Sequence, residues 1–159
     1  MNNILLKNKL LIFIIFNIFF SIFYLYSKHE VGNDTSISEW LINYQGGFTR
    51  RGLGGEINIF LSNFFSLSLR DSIFFLQTTI HTTYLLFVLI YFKNLRLNTL
   101  QIFAFFSPIF LLYPVAEIES LGRKEILICL CFVSILILCE KKIKTVFINL
   151  FVGLTFPIL

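Results

Sequence analysis

The segment Leu10 to Tyr26, LLIFIIFNIFFSIFYLY, contains no charged residue and is long enough, at ~1.5 Å per helical residue, to approach the ~30 Å thickness of a bilayer's hydrocarbon core. Lys7 and Lys9 precede it, and no small-residue processing site of the A-x-A kind follows it. The reading is an uncleaved signal anchor rather than a removed signal peptide. The remaining chain fits that start. With 57% hydrophobic residues, 21 phenylalanines and only 14% charged residues in 159, a soluble domain of this size would be unable to hide its apolar surface from water. The expected fold class is therefore all-α: a polytopic helical membrane protein forming a single membrane domain over 1–159, with about five transmembrane helices.

Four further apolar stretches supply the other spans, at about 73–92, 99–115, 126–139 and 145–159. Asp71-Ser72 is a candidate N-cap for the second span, which carries Gln77, His81 and Tyr84 at three- and four-residue intervals. Lipid tolerates such a stripe poorly, so it should face other helices. His81 is either a relay or binding residue or a hydrogen-bonded packing histidine. Pro108 and Pro114 should kink the third span. The last stretch is short for a span and stops at Leu159 with no polar flank, so the chain reads as the front portion of a larger protein.

Charge gives the sidedness. Lys7, Lys9, Lys93, Arg96, Lys141, Lys142 and Lys144 fall on one side against Glu140 alone, whereas acids outnumber bases on the other. The N-terminus is then cytoplasmic, and the long polar loop 27–72 lies outside. The overall charge of +4 implies no nucleic-acid partner. Cys129, Cys131 and Cys139 lie in one apolar run without metal-site spacing and read as packing residues.

Within the outer loop, Ser36 and Glu39 form an S-x-x-E capping box for a short helix that places Trp40 and Tyr44 at headgroup depth and ends at Gly46-Gly47. Farther on, Ile57, Phe60, Leu61 and Phe64 recur at helical spacing opposite Asn58, Ser62 and Ser66. This is an amphipathic helix lying on the membrane. Between these two helices lies YQGGFTRRGLGGE, Tyr44 to Glu56, in which an arginine pair stands among glycines. Glycine permits close backbone approach, and two adjacent guanidinium forks suit phosphate or carboxylate. The same residues also fit a tight turn tethered to lipid headgroups.

The second charged outer segment is AEIESLGRKE, Ala116 to Glu125. Both segments emerge on one side, so Arg50, Arg51, Arg123 and Lys124 are candidate ligands for one anion. Asp34, Glu39, Glu56, Glu117, Glu119 or Glu125 then supplies a base or a ligand for a divalent cation. The competing arrangement pairs these charges with each other as solvated loop salt bridges. No cofactor is expected beyond that optional cation.

GGFTRRGLGGE and LGRKE resemble motifs of multi-spanning proteins from bacterial surface-polysaccharide gene clusters, O-antigen and capsule polymerases among them. The layout also resembles the GT-C type of membrane glycosyltransferase that uses polyprenyl-phosphate sugars. The resemblance covers about Trp40 to Glu125. It implies sugar transfer from an undecaprenyl-linked donor at the periplasmic face of the inner membrane, with other polysaccharide-assembly proteins as possible partners. It also implies a catalytic acid in the first loop, matched by Asp34 or Glu39, beside which the charged segments themselves offer Arg50, Arg51, Glu56, Arg123, Lys124 and Glu125 as candidate substrate-binding residues. The chain departs from that type in lacking D-x-D or E-x-D spacing and in having fewer spans. The competing class is a non-enzymatic lipid or polysaccharide carrier or accessory subunit, or an inactive fragment of such a gene.

A cysteine introduced at Asn33 should react with an impermeant maleimide in cells whose cytoplasmic membrane is intact. Labelling that requires permeabilising that membrane would reverse the assigned sidedness.

Overall fold

The computed structural model describes residues 3–31, 35–47, 52–94, 100 and 121–140. Every regular element longer than one turn among them is an α-helix: α1, Asn3–Val31; α2, Thr35–Trp40; α3, Leu53–Phe65; α4, Leu69–Asn94; and α5, Glu125–Glu140. Two of these helices are long and apolar enough to cross a membrane, over Lys7–Val31 and Leu69–Lys93, each of 25 residues. They contain the first two expected spans. The stretch 126–139 is helical within α5, which at 16 residues is shorter than a typical span. The stretches 99–115 and 145–159 lie outside the described residues.

The central element is α4, with α1 on one side and α5 on the other. Leu10, Ile14, Asn17, Ser21 and Leu25 are the buried residues of α1, spaced by three or four so that they form one seam. Its polar members cost little there. Asn17 donates to the Phe13 carbonyl at 2.7 Å and Ser21 to the Asn17 carbonyl at 2.6 Å, so the helix's own backbone satisfies them. The opposite face carries Ile12, Phe16, Phe19 and Phe23, each about two-thirds exposed. Burying side chains of this kind away from water is worth ~1.5–3 kcal/mol apiece, so a stripe of this size is compatible with lipid contact and costly in water.

The two long helices are antiparallel. Lys7 Nζ donates to the Lys93 carbonyl at 2.6 Å at one end, and His29 Nε2 lies 3.1 Å from Asp71 Oδ1 at the other. This places the basic flanks of both helices together, in keeping with the charge asymmetry of the sequence. Tyr84, Leu85, Val88 and Phe92 of α4 form the core with Leu10 and Ile14 of α1 and Ile126 and Val133 of α5. Gln77, His81 and Tyr84 are all buried, as the stripe argument requires. Helix α5 begins toward the end of the bundle where α4 begins, with Gly122 just before it bonded to Gln77.

Three local features differ from the sequence reading. The cap of α4 is Ser68, not Asp71-Ser72: Ser68 Oγ accepts from the Asp71 amide at 3.1 Å and donates to its carboxylate at 2.6 Å. Ser72 is instead buried, with its one hydroxyl proton shared between the Leu69 carbonyl at 2.9 Å and the Asn58 side-chain oxygen. The second difference is α2, which stops at Trp40 because Leu41 and Ile42 bond back three residues to Ser38 and Glu39 and tighten the last turn. Gly46-Gly47 belongs to a separate turn, in which the Gly47 amide bonds the Tyr44 carbonyl with φ +116°. The third difference is the orientation of α3. Its polar residues Asn58 and Ser62 are buried against α4 and the connecting loop, while Ile57, Phe60, Phe64 and Phe65 are exposed. The amphipathic pattern is real, but protein covers its polar side. Ser62 donates to the Leu67 carbonyl at 2.7 Å, and Ser66, in the left-handed region at φ 54°, closes the helix.

Candidate functional site

At the Trp40 end of the bundle, first-loop residues meet the LGRKE segment through one carbonyl. Gly122 has φ +92°, a conformation that glycine adopts without a Cβ penalty. That geometry turns its carbonyl inward. Trp40 Nε1 donates to it at 2.6 Å from α2, and Gln77 Nε2 donates to it at 2.8 Å from α4. Trp40 is 1% exposed, so it is an internal anchor covered by protein. Two buried donors on one acceptor fix the start of α5 relative to both the first loop and the central helix.

The consequence falls on Lys124. Its ammonium lies 5.8 Å from the centroid of the Trp40 ring, within cation–π range. A Cβ at Gly54 would stand 3.2 Å from Lys124 Cε and 3.3 Å from Trp40 Cε3, so this glycine leaves the lysine its place. The neighbouring Gly55 is more tightly held, because a Cβ there would collide with the Ile42 carbonyl oxygen. Arg123 is half-buried beside Lys124, and Glu125 lies exposed in the first turn of α5. Glu56 is exposed in the first turn of α3. Glu39 directly precedes Trp40, and its Oε2 is shielded without a hydrogen-bond partner. Asp34, Arg50, Arg51, Glu117 and Glu119 lie outside the described residues.

The structure thus brings Lys124 against first-loop residues, with Glu39 and Arg123 as sequence neighbours of the contacting pair. Sequence reasoning missed Gln77 as a clamp, Gly122 as the shared acceptor, Gly55 as the close-approach glycine, and Arg70. The last is half-buried in the first turn of α4, with Nε and Nη2 shielded and without a partner. Arg70, Ile73 and Gln77 are spaced by three and four and share a face of α4, so this guanidinium belongs to the same side of the helix as the Gly122 clamp. The available signal was that spacing, obscured because Arg70 reads as the last residue of a loop.

Elsewhere, His81 Nε2 is buried without a hydrogen-bond partner, 6.4 Å from the Tyr84 ring between centroids, so the hydrogen-bonded packing role does not describe that nitrogen. Among the described residues, no three histidines, cysteines or acids gather as a metal-binding group. Cysteines 129, 131 and 139 form no disulfide among the described residues. No family model, curated protein or solved structure matches the chain.

Gly122→Ala should lower the midpoint of thermal unfolding in detergent, through a left-handed strain of ~1–2 kcal/mol, and Gly55→Ala should lower it through the clash with Ile42. Gly46→Ala, where the added Cβ meets nothing within 4 Å, is the control. Equal midpoints for all three variants would contradict the assigned roles.

Proposed function

We propose that the chain is a membrane-embedded part of a surface-polysaccharide sugar-transfer or polymerisation protein, holding the phosphate or pyrophosphate of a lipid-linked donor at the periplasmic face of the bacterial inner membrane. The observation that carries this reading is the shared Gly122 carbonyl, which seats Lys124 against the first-loop residues Trp40 and Gly54. A cation from one part of the sequence is thereby held against the first loop, which lies far from it in the chain. Arg50 and Arg51 stand between Gly47 and Gly54 in the sequence of the same loop and are, on sequence grounds, the further candidate cations. Arg70 supports the same reading. Two shielded guanidinium nitrogens without a hydrogen-bond partner are costly, and an anionic ligand supplies an acceptor in addition to the nearby Asp71 carboxylate.

The chemistry follows from charge. Transfer of a sugar from a lipid phosphate leaves negative charge on the departing oxygen, which fixed cations stabilise, while an acceptor hydroxyl gives up its proton to a carboxylate. Glu39 supports the second role because its shielded Oε2 is uncommitted to any neighbour. Asp34 is the alternative base on sequence grounds. The apolar faces of α1 and α3 support a bilayer location, with α3 at the interface presenting Phe60 and Phe64 to lipid.

Arg50→Lys and Arg51→Lys keep the charge but lose the two-pronged grip, so each should weaken donor use by about 10- to 100-fold and shorten or abolish the polysaccharide ladder in a complemented deletion strain. Lys124→Gln should do the same, with protein level in the membrane unchanged. Normal ladders in all three variants would sink the anion-grip reading and leave headgroup tethering in its place.

A further inference from the structure

A concavity lined by Gly55 lies beside Gly54, the residue that abuts Lys124. It has a volume of about 400 Å³, within the range of ligand sites, and is bounded by the segment 41–45 and one face of α3. Its polar lining consists of Asn43, Gln45, Asn58, Ser62 and Asn63, with Ile59 among its apolar members, and among the described residues no acid or base lines it. Much of this wall is already fixed. Asn58 is held by Ser72 and donates to the Leu69 carbonyl at 3.3 Å, Ser62 is bonded to the Leu67 carbonyl, and the Asn43 side chain accepts from the Gln45 amide at 3.0 Å. Gln45 and Asn63 are exposed at its mouth, and among the described residues neither amide side chain is engaged in holding another element.

We infer that this groove binds the uncharged sugar portion of the substrate. Carboxamides carry both donors and acceptors, as sugar hydroxyls do, so an amide-lined wall meets a polyhydroxylated ligand without leaving charge unpaired. Among the described residues, the wall offers a phosphate no cation. The two recognitions are adjacent by construction, because successive residues of α3 face them: Gly54 abuts Lys124 and Trp40, and Gly55 abuts Ile42 and lines the groove. A lipid-linked sugar presents its anion and its hydroxyls next to each other in the same way. The inference rests on the proposed sugar-lipid reading and adds which surface takes the sugar.

The test uses the full chain in nanodiscs with two separate probes. Glucose, galactose and N-acetylglucosamine are screened by saturation-transfer NMR, and geranyl pyrophosphate is titrated against the fluorescence of Trp40, the single tryptophan. At least one sugar should bind, and the double variant Gln45→Ala with Asn63→Ala should weaken it by about tenfold while leaving the pyrophosphate titration unchanged. Failure of all three sugars to bind the unaltered protein, or equal sugar binding in the double variant, overturns the inference. Sugar binding that is lost in the variant, together with no response to geranyl pyrophosphate, upholds the groove and removes the anion site instead.

Discussion

A single backbone oxygen organises this end of the protein. The Gly122 carbonyl receives an indole N–H from the short helix α2 and a carboxamide N–H from the central helix α4, so three remote stretches of chain meet at one acceptor. In a poorly solvated setting each donor would be costly to leave unmatched. The positive φ of Gly122 is the local condition that lets the carbonyl point inward, and Arg123 and Lys124 take their places from it. Remove the clamp, and the cations at the start of α5 lose their fixed relation to the glycine-rich loop.

The helices around it follow the same logic of matching polar groups before burying them. In α1, Asn17 and Ser21 are satisfied by the helix's own carbonyls, which allows a seam against α4 to include them. In α3 the polar face is turned inward and closed by Asn58, Ser72, Ser62 and Leu67, while its phenylalanines face outward. That arrangement inverts a soluble amphipathic helix. It suits an interfacial element whose apolar side meets lipid and whose polar side meets protein.

How much of this was legible depends on the range of the interaction. The two long helices were readable because uninterrupted apolar length is a local property, and the Gln77–His81–Tyr84 stripe announced burial through helical spacing alone. The existence of α3 was equally plain from Ile57, Phe60 and Phe64. Its orientation was not, since periodicity separates two faces without saying whether water or protein meets the polar one. The Ser68 cap was missed for a smaller reason: S-L-R-D reads as a capping box only once the helix start is known. Trp40 and Gly122 are separated by 82 positions, and no local pattern marks an indole and a carbonyl as partners. For the site, the sequence put Lys124 and the first loop on one side of the bundle, and the tertiary clamp put them in contact.

The clamp has one spectroscopic reporter, because the chain holds a single tryptophan. The indole N–H of Trp40 should give one resonance in a ¹⁵N-labelled sample, and its exchange with solvent deuterons should be slow and follow global unfolding. Gln77→Leu, which removes the other donor while leaving the indole bond in place, should speed that exchange by loosening the Gly122 turn. An indole proton that exchanges at the rate of a free tryptophan in the unaltered protein would contradict the account at its centre.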